Sequence, residues 1–113
     1  MSITVERLAS LIQRELAPIV NSVVQKEVIG YINLTEVKLT KDLSIAKIYY
    51  TILSDNEETL EYTQKELDKA NATIRMELAK KIKNIRKIPE IKFVYDEALA
   101  YGNHIDKLLK TIK

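Results

Sequence analysis

KANATIRMELAKKIKNIRK, residues 69–87, decides how this chain is put together. It is either the middle and end of one long helix or the junction of two. Leu60, Leu67, Ala70, Ile74, Leu78, Ile82 and Ile85 keep a 3.6-residue period with no phase break, which alone predicts one helix. Size argues against it. A straight helix over residues 58–85 is roughly 42 Å long at 1.5 Å per residue. A compact domain of this length has a radius of gyration near ~13 Å and a diameter of about 34 Å. Asn71 followed by Thr73 is also the weakest helical step in the stretch, and Asn tolerates left-handed backbone better than other non-glycine residues. The expectation is two helices meeting at Ala70-Asn71-Ala72, with the bend at Asn71.

Working outward, Ser54-Asp55-Asn56-Glu57 has the spacing of a capping box and opens the helical region. Pro89 closes it, and Ile91, Phe93 and Tyr95 then alternate as a strand. Asp96 can cap a last helix with Ile105, Leu108, Leu109 and Ile112 on one side. Upstream, Leu8, Leu11, Ile12, Leu16, Ile19, Val20 and Val23 form one apolar stripe, predicting a helix over about residues 4–24 capped by Ser2 or Thr4. Pro18 deletes the bond to the Arg14 carbonyl and predicts a bend. After Gly30 the period changes to two: residues 31–39 and 46–52 are rich in β-branched and aromatic residues, joined by the short polar connector TKDLS. Alternation slips between Leu34 and Val37, the mark of a bulge. The order is helix, strand, strand, long helical region, strand, helix, which reads as a single two-layer α+β domain over residues 1–113 with helices on one face of a three-stranded sheet.

Composition excludes several chemistries. There is no cysteine, so there are no disulfides, thiolate nucleophiles or Cys-based zinc sites. The first fifteen residues interleave charge with apolar side chains and have no signal-peptide pattern, and no apolar run is long enough to span a bilayer; a cytoplasmic protein is expected. Net charge is only +2, but its distribution is uneven. Residues 55–68 carry six acids against Lys65, and residues 69–92 carry eight cations against Glu77 and Glu90. A reversal this abrupt points to one polyanion-facing side.

VKLTKDLSIAKIYY (37–50), ATIRMELA (72–79), IRKIPEIKFVYD (85–96) and GNHIDKLL (102–109), in that order, resemble the bacterial ribosome-binding factor A family along nearly the whole chain. The resemblance implies a type II KH-like fold, α-β-β-α-(kink)-α-β-α, in which an Ala-x-Gly step kinks the helix pair in place of the usual GxxG loop. That step falls here on Ala70-Asn71-Ala72, with Ala72 where the family has glycine. The extended tail of some members is not expected. The resemblance further implies a non-catalytic factor that binds the free small (30S) ribosomal subunit and 16S rRNA, supports late maturation and 5′-end processing, and matters most in the cold. No cofactor is implied, and a monomer is expected.

The candidate RNA-binding residues are Lys69, Asn71, Arg75, Lys80, Lys81, Lys83, Arg86 and Lys87. On a continuous helix Lys80, Lys83 and Lys87 share a surface flanked by Lys81 and Arg86, with Lys69 and Arg75 beside the bend. A solvated face stabilising a helix C-terminus is the competing reading of the same charges. Tyr49 is the aromatic expected on the outer strand face with Lys47, whereas Tyr50, Phe93 and Tyr95 read as core or boundary residues. His104 is the only histidine and has no second His or Cys with which to share a metal. Gly30 and Gly102 are isolated, so no glycine loop cradles phosphate, and no nucleophile–base arrangement is evident; an enzyme is not expected. The alternative is a protein–protein adaptor that engages a basic partner through its acidic helix, residues 57–66.

Overall fold

The computed structural model describes residues 4–54, 56–82 and 88–97. Helix α1 (Val5–Val23) is followed by β1 (Asn33–Leu39), β2 (Ile45–Thr51), α2 (Glu57–Lys81) and β3 (Glu90–Tyr95). β1 and β2 pair antiparallel and β2 and β3 parallel, giving a mixed sheet of order β1-β2-β3. The antiparallel pair needs only the five-residue turn at 40–44, whereas the parallel pair needs a crossover, which α2 supplies. The expected last helix, with His104, lies outside the described residues.

Thr4 opens α1, its Oγ1 accepting from the Arg7 amide at 3.1 Å. The helix continues through Pro18. Three residues past it, the Asn21 side chain reaches back to the Ala17 carbonyl (2.9 Å) and outward to both the amide and the carbonyl of Ile32 (2.8 and 2.9 Å). Gly30 ends the following turn at φ +71°, with its amide donating to the Lys26 carbonyl. The left-handed φ is what glycine adopts without Cβ strain.

In β2, Ala46, Ile48 and Tyr50 are buried while Lys47 is exposed, so the alternation read from sequence is the alternation seen. The expected bulge is present as a register shift between Leu34 and Glu36. The inner sheet face meets Leu8, Ile12, Leu16 and Val20 of α1 and Leu67, Ile74 and Leu78 of α2, all essentially inaccessible to solvent. Each such side chain contributes about 1.5–3 kcal/mol on burial, so these two helical stripes and the sheet face carry most of the stability.

Two expectations about the long helical region are corrected. First, Asn56 rather than Ser54 caps α2: its Oδ1 accepts from the amides of Glu58 (2.8 Å) and Thr59 (3.4 Å), while Ser54 Oγ accepts from the Asn56 amide (3.1 Å). An Asn side chain close to the first turn takes the free amides before a Ser two residues away can. Second, the chain does not divide at Asn71. α2 runs unbroken through Ala70-Asn71-Ala72 for 25 residues. The size argument assumed a sphere, but the protein is an elongated slab of 53 × 29 × 18 Å with room for a helix of roughly 37 Å. Ala72 is the best helix former available. Asn71 is held in place by its own side chain, whose Nδ2 donates to the Ile91 carbonyl at 2.9 Å.

That bond is one of a set. Along one stripe of α2, Gln64 donates to the Phe93 carbonyl (2.9 Å), Asn71 to that of Ile91 (2.9 Å) and Arg75 to those of Pro89 (3.2 Å) and Ile88 (2.7 Å). Gln64 also accepts from the Tyr50 hydroxyl at 2.7 Å, which ties β2 to the same stripe. On the opposite edge of the sheet, Gln13 of α1 donates to the Leu34 carbonyl at the bulge (3.0 Å), and Asn21 holds Ile32 just before β1. Helix amides and a guanidinium therefore take up main-chain groups along both edge strands, positions that otherwise invite pairing with another chain.

Candidate nucleic-acid interface

The basic end of α2 is built by three different helix faces, which separates residues that the sequence places together. Residues three, four and seven apart share a face. Lys69, Met76 and Lys80 lie on the outward stripe, all exposed, and Met76 is an unusually bare apolar residue at 56% exposure. Lys65, one turn before Lys69, belongs to this stripe too; its acidic neighbours in sequence hid it. Asn71 and Arg75 lie on the stripe against β3, with side-chain donors engaged by strand carbonyls. Lys81 turns towards α1, where with Pro18, Ile19, Ser22, Val23, Thr73 and Glu77 it lines a groove between the helices.

The helix stops earlier than its period suggests. Ile82, buried, has an extended backbone (φ −112°, ψ 100°), and its amide closes the helix on the Leu78 carbonyl. Lys83, Arg86 and Lys87 lie outside the described residues. The face expected for Lys80, Lys83 and Lys87 can be followed only as far as Lys81, the last residue of α2.

The residues on either side of segment 83–87, Ile82 and Ile88, are described. Ile82 is sunk in the core on one side. On the other, Arg75 grips the carbonyls of Ile88 and Pro89, and Pro89 itself is buried. Arg75 thus ties α2 to the entry of β3, a role no local sequence signal could report because its partners lie thirteen and fourteen residues away.

The electrostatics suit a polyanion. Lys80 and Lys81 occupy the last turn of α2, where the helix dipole favours cations. Lys80 forms an ion pair with Glu77 at 3.1 Å on the surface, an attachment weak enough for a phosphate to replace. Acids Glu57 and Glu58 occupy the first turn and serve the opposite end of the dipole. Among the described residues no group of three or more His, Cys, Asp or Glu is placed to hold a metal ion, and no helix is long and apolar enough to cross a membrane.

The aromatic residues fall as their alternation dictates. Tyr50 and Phe93 are buried, and Tyr50 meets Tyr95 edge-on with ring centroids 5.9 Å apart. Burial, followed by the charge of Asp68 and then Tyr95, pushes the Tyr50 phenol up to about 12. Tyr49 is on the outer sheet face, with the Lys38 ammonium 5.4 Å from its ring centre, within cation–π range.

A family model described as ribosome-binding factor A matches residues 4–109. A ribosome-binding factor A from Phytoplasma mali is 56% identical over 112 residues, covering 99% of this chain and 98% of the relative. One from Staphylococcus carnosus is 39% identical, covering 95% and 91%. Among solved structures, the crystal structure of ribosome-binding factor A from Thermus thermophilus superposes with a TM-score of 0.72 at 21% identity, covering 84% of this chain and 98% of that one. A homology model of the Thermus thermophilus factor fitted into a cryo-EM map of its 30S complex matches with a TM-score of 0.66 at 21% identity, covering 79% and 91%. At that identity the likeness speaks for the fold, the KH-like α+β arrangement implied by the resemblance in sequence.

Proposed function

The chain belongs to the ribosome-binding factor A family, and we propose that it is a non-catalytic assembly factor that binds the free 30S subunit through 16S rRNA. In this reading it assists late maturation and 5′-end processing by occupying RNA, not by chemistry of its own. The observation that carries the proposal is the basic end of α2. Lys69, Lys80 and Lys81 stand exposed there, the last two in the final turn, where the helix dipole favours cations.

Recognition would be of backbone and shape. Each phosphate neutralised releases counterions, so affinity should fall steeply with salt. The test is co-sedimentation of the full chain with free 30S subunits and with assembled ribosomes across a salt series. Association with free subunits that weakens as salt rises is the expected result. Charge reversal at Lys69, Lys80 and Lys81 should weaken it further. Absence from the 30S fraction at low salt would overturn the proposal and favour a protein partner for the acidic start of α2.

A further inference from the structure

The outer face of the sheet carries a second set of cations, apart from the basic end of α2. Register places Lys38 of β1 opposite Lys47 of β2, and Lys47 opposite Lys92 of β3. Three exposed lysines thus form a single row across the sheet, one per strand. With strands about 4.8 Å apart, the row spans about 10 Å between its outer members. Like charges directly opposite each other destabilise a sheet. No ion pair offsets the cost: those among the described residues are Arg14–Glu15 and Lys80–Glu77, and none involves this row. Glu36 and Glu90 lie one row away on either side, on the two edge strands, and neither is paired with these lysines. Beside the row sits Tyr49, on the central strand between Glu36 and Val94, with the Lys38 ammonium over its ring.

We propose that this row, with Tyr49, is a second RNA-binding surface that tracks the phosphates of an unpaired strand and stacks one base on the Tyr49 ring. The occupant follows from the chemistry. Cations spaced along a line beside an accessible aromatic ring are the elements of single-stranded nucleic-acid binding: phosphates meet the cations and a base meets the ring. A neighbouring strand is a poor alternative, because both edges of the sheet have main-chain groups bonded to helix side chains. A membrane surface is also poor, since among the described residues Val94 is the one large apolar side chain exposed on this face. The inference rests on the reading that the partner is RNA, but it concerns a different face from the basic end of α2.

The experiment uses the full chain and measures its affinity for isolated 16S rRNA over a salt series. Three variants are compared: Lys38→Gln/Lys47→Gln/Lys92→Gln, Tyr49→Leu, and Lys69→Gln/Lys80→Gln/Lys81→Gln. For an unpaired strand each lost phosphate contact reduces the slope of log affinity against log salt by about 0.7, so the sheet triple variant should lose roughly 2 units of slope. Tyr49→Leu should weaken binding at least about fivefold with the slope unchanged, as loss of one stacked base predicts. Arginine at the three sheet positions should restore the slope. Relief of repulsion offsets loss of the Lys38–Tyr49 contact, so the sheet triple variant should melt close to the wild type and a binding defect cannot be ascribed to unfolding. If the sheet variant binds with wild-type affinity and slope while the α2 variant is weakened, the second surface is refuted and the proposed function stands. If neither variant is weakened, both fail. Equal displacement of RNA by poly-aspartate and by single-stranded RNA would also refute an RNA-specific surface.

Discussion

Replacing Ala72 by glycine completes the Ala-x-Gly step that the sequence resemblance implies, and the structure fixes what it should cost. Ala72 is an exposed residue in the interior of α2, with fifteen helical residues before it and nine after it. Its methyl group contributes little burial, so Ala72→Gly isolates backbone propensity. Glycine in a helix interior is about 1 kcal/mol less favourable than alanine. For a domain of this size that corresponds to a fall of about 4 °C in Tm. Asn71 supplies an internal control. Asn71→Ala loses the bond to the Ile91 carbonyl, worth about 1 kcal/mol net, but gains about 0.6 kcal/mol of helix propensity, leaving it close to wild type. Asn71→Gly loses the bond and gains nothing, so it should be about 1 kcal/mol less stable than Asn71→Ala. Thermal and urea unfolding followed by circular dichroism measure all three. If glycine equals or exceeds alanine in stability at either position, the residue is not helical in solution and the unbroken α2 is refuted. A left-handed residue at 71 would reverse the order outright, because alanine there costs roughly 1–2 kcal/mol.

Two further outcomes concern the Tyr50–Gln64 contact and the turn between β1 and β2. Tyr50→Phe removes the bond to Gln64 and should cost about 1 kcal/mol by urea denaturation. Because the buried phenol titrates at about 12 rather than 10, it should also abolish a loss of stability that the wild type shows as pH rises from 10 through 12. In the turn, Asp42 accepts from the Thr40 hydroxyl (2.7 Å), the Ser44 hydroxyl (2.7 Å) and the Ser44 amide (3.1 Å), which brings its carboxyl down to about 2. A depressed carboxyl stabilises the fold above its unfolded value near ~4. The advantage of wild type over Asp42→Asn should therefore be complete at neutral pH and vanish as pH falls from about 4 to about 2, read as urea midpoint against pH.

Local pattern carried much of this architecture. The stripe from Leu8 to Val20, the alternation of Ala46, Ile48 and Tyr50 and the slip after Leu34 are signals a strand or helix writes into its own residues, and each was legible. Asn71 was misread because propensity is local and its compensation is not: the carbonyl that holds it in the helix is twenty residues away. Arg75 was read as a free cation for the same reason. At the candidate site, Lys69, Lys80 and Lys81 were visible as charge. Their division between two faces of α2, and the end of that helix at Lys81, depend on packing that no local pattern records. The row Lys38–Lys47–Lys92 lay beyond sequence reading, since it exists only once the parallel register of β2 with β3 is known.

The bonds from Gln64, Asn71 and Arg75 to successive carbonyls of β3 and the residues before it have a mechanical consequence. They span about 16 Å of helix at 1.5 Å per residue, and all run between the same two elements. Sliding α2 along the strand by even one residue would stretch every one of them at once, so the two elements shift as a unit or not at all. A pull on the C-terminal end of α2 would thereby be passed, without slack, to the edge of the sheet.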